Sequence, residues 1–263
     1  MSQEADFGYE PDVGVPLPQL FREGLAGVEA AALRRSTVWR GGGVPYGDDR
    51  PVLLIPGFMA GDGSLATMTH WLRANRYHTR RAGIRANVGC SAEACTRLEA
   101  RLEEFAEAAG ERVAIIGQSR GGVFARALAA RRPDLVSGIV TLGSPTVSQL
   151  SVHPFVLAQV ALVGALGSGR VPGMFTWRCL RGECCSRFRE DLAGSFPPEV
   201  GYVALYSKTD GIVDWHACLD PAAECVEVRA SHIGMGLNAQ VYAEVAHALA
   251  GFAAGERGWA AAA

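Results

Sequence analysis

Lysine is almost missing from this chain. Lys208 is the only one among 25 basic residues, and the rest are arginine. Against 27 acidic residues this leaves a formal net charge of −2, with no block of like charge. Such a surface offers no electrostatic grip on nucleic acid or on an anionic membrane. The arginine bias reads as the mark of a GC-rich coding sequence rather than of a phosphate-binding face. Long hydrophobic runs are missing as well. The longest, from Pro154 to about Gly167, is interrupted by glycine and falls short of the roughly 20 residues that span a bilayer, so no transmembrane segment is expected. The start, MSQEADFGYEPDVG, is acidic and polar and lacks the basic opening and apolar core of a secretory signal; a cytoplasmic location is the expectation. No internal repeat occurs, and no Ser- or Pro-rich linker divides the chain. With 49% hydrophobic and 20% charged residues over 263 positions, the composition is that of an ordinary globular protein. One α/β domain over 1–263 is expected, with an N-terminal extension (1–50) wrapping the core and a lid-like insertion at 146–198.

Seven cysteines sit awkwardly with a reducing compartment: Cys90, Cys95, Cys179, Cys184, Cys185, Cys218 and Cys225. An odd count leaves at least one unpaired. Free thiols packed as small hydrophobes are the commonest reading, ahead of one or two disulfides, and a zinc site lacks the paired C-x-x-C knuckles that usually announce it.

What the chain does have is alternation. Short aliphatic runs suited to buried parallel strands occur at Val52–Ile55, Val113–Ile116, Gly138–Leu142, Tyr202–Tyr206 and Val226–Val228, with a weaker one at Thr79–Ala82. Helical patterns lie between them. From Ser91, an expected N-cap, Cys95, Leu98, Leu102 and Phe105 form an apolar stripe that should stop at Gly110. A second helix should run from Arg120 to the Arg131-Arg132-Pro133 break, a last one from Asn238 to Phe252, and another over about Leu17–Arg35. Strand and helix in turn predict a three-layer α/β/α sandwich around a mostly parallel sheet.

The run Val113-Ala114-Ile115-Ile116 leads into Gly117-Gln118-Ser119-Arg120-Gly121-Gly122 and then directly into helix. A serine on so tight a strand-to-helix turn needs small neighbours, and the turn exposes its hydroxyl at a helix N-terminus, where developing negative charge is favoured. Ser119 is therefore the candidate nucleophile. Its hydroxyl is weak at neutral pH and needs a base, itself oriented by an acid, both on loops at the same sheet edge. After Tyr202–Tyr206 comes Ser207-Lys208-Thr209-Asp210-Gly211-Ile212-Val213-Asp214, which makes Asp210 the candidate acid and Asp214 its replacement; Asp220 reads as a turn residue. After Val226–Val228 comes Ser231-His232-Ile233-Gly234, and His232 is the candidate base. The remaining histidines, at 70, 78, 153, 216 and 247, read as surface or structural. Two backbone N–H groups should face the oxyanion: that of Arg120, and one from the loop Pro56–Gly63, with Phe58 ahead of Met59.

Taken together, LLIPGF, GQSRGG, TLGSP, YSKTDGIVDW and SHIGMG resemble the motif series of bacterial α/β-hydrolase esterases and lipases, over about Pro51 to Phe252. The compact members, whose sheet begins close to the oxyanion loop, are the most similar. The resemblance implies cleavage of carboxylic esters through an acyl-enzyme, with Ser119, Asp210 and His232 as triad, Phe58 and Arg120 as backbone donors, and no metal or organic cofactor. A serine thioesterase or acyltransferase shares that machinery, and a non-catalytic binding protein shares the scaffold. Arg120 departs from the Met or Leu more often found beside the nucleophile; its guanidinium could bind a substrate carboxylate or form a salt bridge to the lid, and the structural role is favoured. The insertion carries Phe155–Leu166, Met174, Phe175 and Trp177, enough apolar surface for an acyl chain as well as for closing the core. A small-molecule ester with an apolar acyl group is the expected substrate, and no protein partner is evident.

Overall fold

The computed structural model describes residues 20–182 and 184–260. Among these residues six strands form one sheet in the order β2-β1-β3-β4-β5-β6, and every neighbouring pair is parallel. They are β1 (Pro51–Ile55), β2 (His78–Arg81), β3 (Val113–Gln118), β4 (Val136–Leu142), β5 (Gly201–Tyr206) and β6 (Glu224–Glu227). The central strands β1, β3 and β4 are buried along their whole length, as their aliphatic runs require of strands covered on both faces.

Helices supply that cover. One apolar layer joins α3 (Ser91–Ala109) and α4 (Arg120–Arg131) to the sheet through Leu98, Leu102, Phe105, Phe124 and Leu128. The opposite layer holds α1 (Ala26–Arg35), α2 (Ala66–Ala74) and α8 (Ala239–Ala260) through Leu33, Trp71, Leu72, Tyr242 and Val245. This is the expected α/β/α sandwich. Helix α3 ends where its sequence said it should, with Gly110 left-handed at φ 71°. Its first helical residue is Ser91, so the cap falls on Cys90 instead. Of the expected helix over 17–35, residues 17–19 lie outside the described residues, and the rest is a 3₁₀ turn, Phe21–Leu25, running into α1.

Between β4 and β5 the described residues form three helices, α5 (Pro154–Ser168), α6 (Trp177–Arg181) and α7 (Ser186–Ala193). The buried His153 caps α5, its Nδ1 accepting from Phe155 N–H at 3.1 Å, and its own N–H donates to the Ile212 carbonyl at 2.7 Å. The far end of the segment is fastened to α4: Arg126 donates to the Leu192 carbonyl at 2.6 Å and pairs with buried Asp220 at 2.6 Å. Asp220 does cap a turn, accepting from Ala222 N–H, but it is also the buried counter-ion of Arg126.

The chain runs from β1 out to the edge strand β2 and returns to β3 on the other side of β1. The loops leaving β1 and β3 therefore diverge and open a crevice at their carboxyl ends, where open α/β sheets receive ligands. Ser119 stands there.

Candidate active site

Ser119 joins β3 to α4 with φ 52° and ψ −124°, a region that a non-glycine residue occupies only when its surroundings hold it. Its N–H donates to the Leu142 carbonyl at 2.8 Å, and its carbonyl accepts from Gly122 N–H at 2.9 Å. The flanking glycines are required by contact. A Cβ on Gly117 would lie 2.4 Å from the Gly121 carbonyl oxygen, and one on Gly121 would lie 2.1 Å from that of Ile55. Both obstacles are backbone and cannot step aside.

The base and acid expected from sequence meet. His232 Nδ1 and Asp210 Oδ2 are 2.7 Å apart, and both side chains are buried. The other oxygen of Asp210 accepts from Ile212 N–H and Val213 N–H at 2.8 Å each. With two backbone donors on Oδ1, Oδ2 is left aimed at the imidazole. A carboxylate only accepts, so Nδ1 carries the hydrogen and Nε2 is left with its lone pair. Asp214 is occupied elsewhere: its Oδ1 accepts from His216 N–H at 3.0 Å and lies 2.8 Å from His216 Nδ1. Of the two acids considered, only Asp210 reaches His232.

Burial pulls the His232 pKa down, but the charge and hydrogen bond of Asp210, with a contribution from Glu23, outweigh it and leave it above the usual 6.5. The histidine loop is also tied to the serine turn, since Gln118 Nε2 donates to the His232 carbonyl at 3.0 Å. Gly143, left-handed at φ 54°, leaves the space beside this pair: a Cβ there would come within 3.0 Å of Asp210 Oδ2 and 3.1 Å of His232 Nδ1.

The loop after β1 passes close to the serine, where a Cβ on Gly57 would sit 3.1 Å from Ser119 Cβ. Met59 N–H donates to the Asn87 carbonyl at 3.3 Å, which engages the alternative oxyanion donor and favours Phe58. The Arg120 guanidinium grips the same neighbourhood, donating to the carbonyls of Asn87 (2.9 Å) and Gly89 (2.7 Å) and to Ser91 Oγ (3.1 Å). It lies against the rings of Phe124 and Phe175. On the β4–β5 segment the guanidinium meets the Phe175 ring, where the sequence suggested a salt bridge. Burial lowers its pKa to about 10, which leaves it charged at neutral pH.

Two residues that sequence reasoning missed complete the site. Glu23 Oε1 accepts from His232 N–H at 2.9 Å and Gly211 N–H at 3.1 Å, and its Oε2 accepts from Ile233 N–H at 2.8 Å. Glu29 accepts from Ser231 N–H at 3.1 Å and from Ser231 Oγ at 2.6 Å. The N-terminal segment thus clamps the acid loop and the histidine loop at once. No local signal announces this, because the partners stand 188 to 210 residues apart.

A test follows from the charge. If His232 must be neutral to take a proton, kcat/KM rises with pH through its pKa, and the midpoint lies above 6.5 because that pKa is raised. Glu23→Gln removes one of the charges that raise it, so the midpoint should move to lower pH. A lost hydrogen bond to a charged group, about 1.5 kcal/mol, corresponds to about tenfold in plateau kcat/KM. A drop in rate with an unmoved midpoint would mean that Glu23 only stabilises the loop.

Neither the family models nor the curated proteins match this sequence. Solved structures do resemble the chain. Mature lipase BlEst2 of Bacillus licheniformis aligns over 78% of this chain and 94% of its own at a TM-score of 0.59 and 16% identity. A soluble variant of monoglyceride lipase from Saccharomyces cerevisiae, solved with a substrate analogue, aligns over 80% and 90% at a TM-score of 0.59 and 14% identity. MGS-MChE2, an α/β-hydrolase enzyme from the metagenome of lagoon sediments, aligns over 77% and 90% at 0.52 and 18% identity. The architecture is thus an open parallel sheet between two helical layers. More narrowly, this chain has the α/β-hydrolase fold.

Proposed function

We propose that this protein hydrolyses carboxylic esters through a covalent intermediate on Ser119. The observation that carries the reading is the buried His232–Asp210 pair, 2.7 Å apart, on loops that Gln118 and Glu23 fasten to one another and to the serine turn. The resemblance in fold to a lipase and a monoglyceride lipase supports the ester as substrate class.

In this mechanism Ser119 Oγ attacks the ester carbonyl carbon while His232 Nε2 takes its proton. Asp210 holds the imidazole in the required tautomer and stabilises the imidazolium. The backbone N–H groups of Phe58 and Arg120 receive the oxyanion, and the N-terminus of α4 adds a favourable potential. The imidazolium then returns its proton to the departing alkoxide. Water, activated by the same histidine, attacks the acyl-enzyme and releases the acid and Ser119. No step calls for a cofactor.

The β4–β5 segment acts here as a lid that takes up an apolar acyl group. Helix α5 leaves Phe155 57% and Leu162 60% exposed, and Met59 and Ile233, on the oxyanion and histidine loops, are about half exposed. Each methylene buried on such a surface contributes up to about 0.8 kcal/mol, about fourfold in kcat/KM. Along a p-nitrophenyl ester series, kcat/KM should therefore climb from acetate towards the medium-length acyl groups. Activity on acetate alone would contradict the apolar reading. No helix among the described residues is long and apolar enough to cross a membrane; we propose a cytoplasmic location.

A further inference from the structure

Four of the seven cysteines converge on one point. The sulfurs of Cys90, Cys179, Cys184 and Cys185 all lie within 4.8 Å of one another. Cys90 Sγ is 3.7 Å from that of Cys184 and 3.6 Å from that of Cys185; Cys184 Sγ is 3.2 Å from that of Cys179 and 3.7 Å from that of Cys185. A tetrahedron with Zn–S bonds of about 2.3 Å has edges of about 3.8 Å, so these separations are those of sulfurs around a shared ion. Ordinary packing does not explain them, because thiols are weak hydrogen-bonding groups and gain little from facing one another.

We infer that Cys90, Cys179, Cys184 and Cys185 form a structural tetrathiolate site for a divalent, thiophilic metal ion, zinc by its chemistry. Four sulfur ligands close the coordination sphere, which suits a structural site rather than one that binds substrate. Each thiol gives up its proton on binding, so the complex carries a net charge of −2. The cationic Arg120 guanidinium interacts electrostatically with Cys90, Cys179 and Cys185, and it donates to the carbonyl of Gly89, next to Cys90. Thr176 N–H points at Cys179 Sγ from 3.5 Å, the kind of supporting bond that orients a metal ligand.

The spacing explains why sequence disfavoured this. Cys184 and Cys185 are adjacent, Cys179 lies within α6, 5 residues before Cys184, and Cys90 stands 94 and 95 residues from Cys184 and Cys185. No C-x-x-C knuckle is involved. The ion would join the β4–β5 segment to the N-terminal cap of α3, immediately after the carbonyls of Asn87 and Gly89 that hold Arg120 and Met59. It would thus pin the proposed lid beside the oxyanion loop.

The test uses the full chain, purified with a reductant and without chelator. Elemental analysis should find about one equivalent of zinc. After chelation under reducing conditions, titration with Co²⁺ should give thiolate-to-cobalt charge-transfer and tetrahedral d–d absorption that saturate at one equivalent and vanish when Zn²⁺ is added. Cys90→Ser and Cys184→Ser should each abolish the tetrathiolate spectrum, while Cys218→Ser and Cys225→Ser keep it. Should the ligand variants fail to fold, the wild-type titration decides alone. The inference is overturned by reduced protein that takes up no stoichiometric cobalt, by an intact mass showing a disulfide within the cluster after mild purification, or by an unchanged spectrum in folded Cys90→Ser.

Discussion

Ser119→Ala is expected to lower kcat for ester hydrolysis by roughly a million-fold while leaving the unfolding transition close to that of the parent, since it removes a reacting atom and little packing. The backbone of the turn is set by β3, α4 and the glycines at 117, 121 and 122, whose neighbours leave no room for a side chain. His232→Ala should cost nearly as much, because serine and base act as one unit. The double variant should then lose little more than either alone, with oxyanion donors sustaining a residual rate of about 10³ to 10⁴ over water. Steady-state kinetics on a p-nitrophenyl ester separates these cases. An Ser119→Ala protein within tenfold of the parent would remove Ser119 from the chemistry.

Asp210→Asn against Asp214→Asn is the second large contrast. At position 210 the side chain faces three hydrogens, those of Ile212 N, Val213 N and His232 Nδ1. An amide has one oxygen and cannot answer both sides. Turned with its NH₂ towards the imidazole, it favours the tautomer protonated at Nε2, which has no lone pair for the serine proton; a loss of about 10⁴ in kcat is expected. Removing that charge also lets the His232 pKa fall, so the alkaline-rising limb should shift to lower pH. Asp214→Asn disturbs only a 3₁₀ cap and a pairing with exposed His216, and it should stay within about threefold of the parent. The reverse order would transfer the acid's role to Asp214.

Much of this was readable from sequence because its causes are local. Buried parallel strands must be aliphatic throughout, and β1, β3, β4 and β5 fall within two residues of the runs that announced them. The serine turn demands glycines at fixed offsets, and the candidates Asp210 and His232 lie on the loops that follow β5 and β6. The edge of the sheet was less legible. β6 is Glu224–Glu227, mostly exposed, whereas the apolar run at Val226–Val228 placed it later. Val228 is buried all the same, and its N–H donates to the Tyr206 carbonyl at the end of β5. Helix α8 continues past Phe252 to Ala260, since an alanine-rich tail holds no stop signal. Contacts between distant segments were invisible. Glu23 and Glu29 carry no pattern that marks them as clamps, and the cysteine cluster forms only when α6 and α7 fold back over the start of α3.

A fluorophosphonate probe tests the central claim most directly, because it forms a covalent bond only with an activated serine. Peptide mass spectrometry of the labelled wild-type protein should place a single adduct on Ser119, and labelling should disappear in both Ser119→Ala and His232→Ala. Absence of any adduct on the folded wild-type protein, or an adduct on another residue while ester hydrolysis persists in Ser119→Ala, would contradict the account.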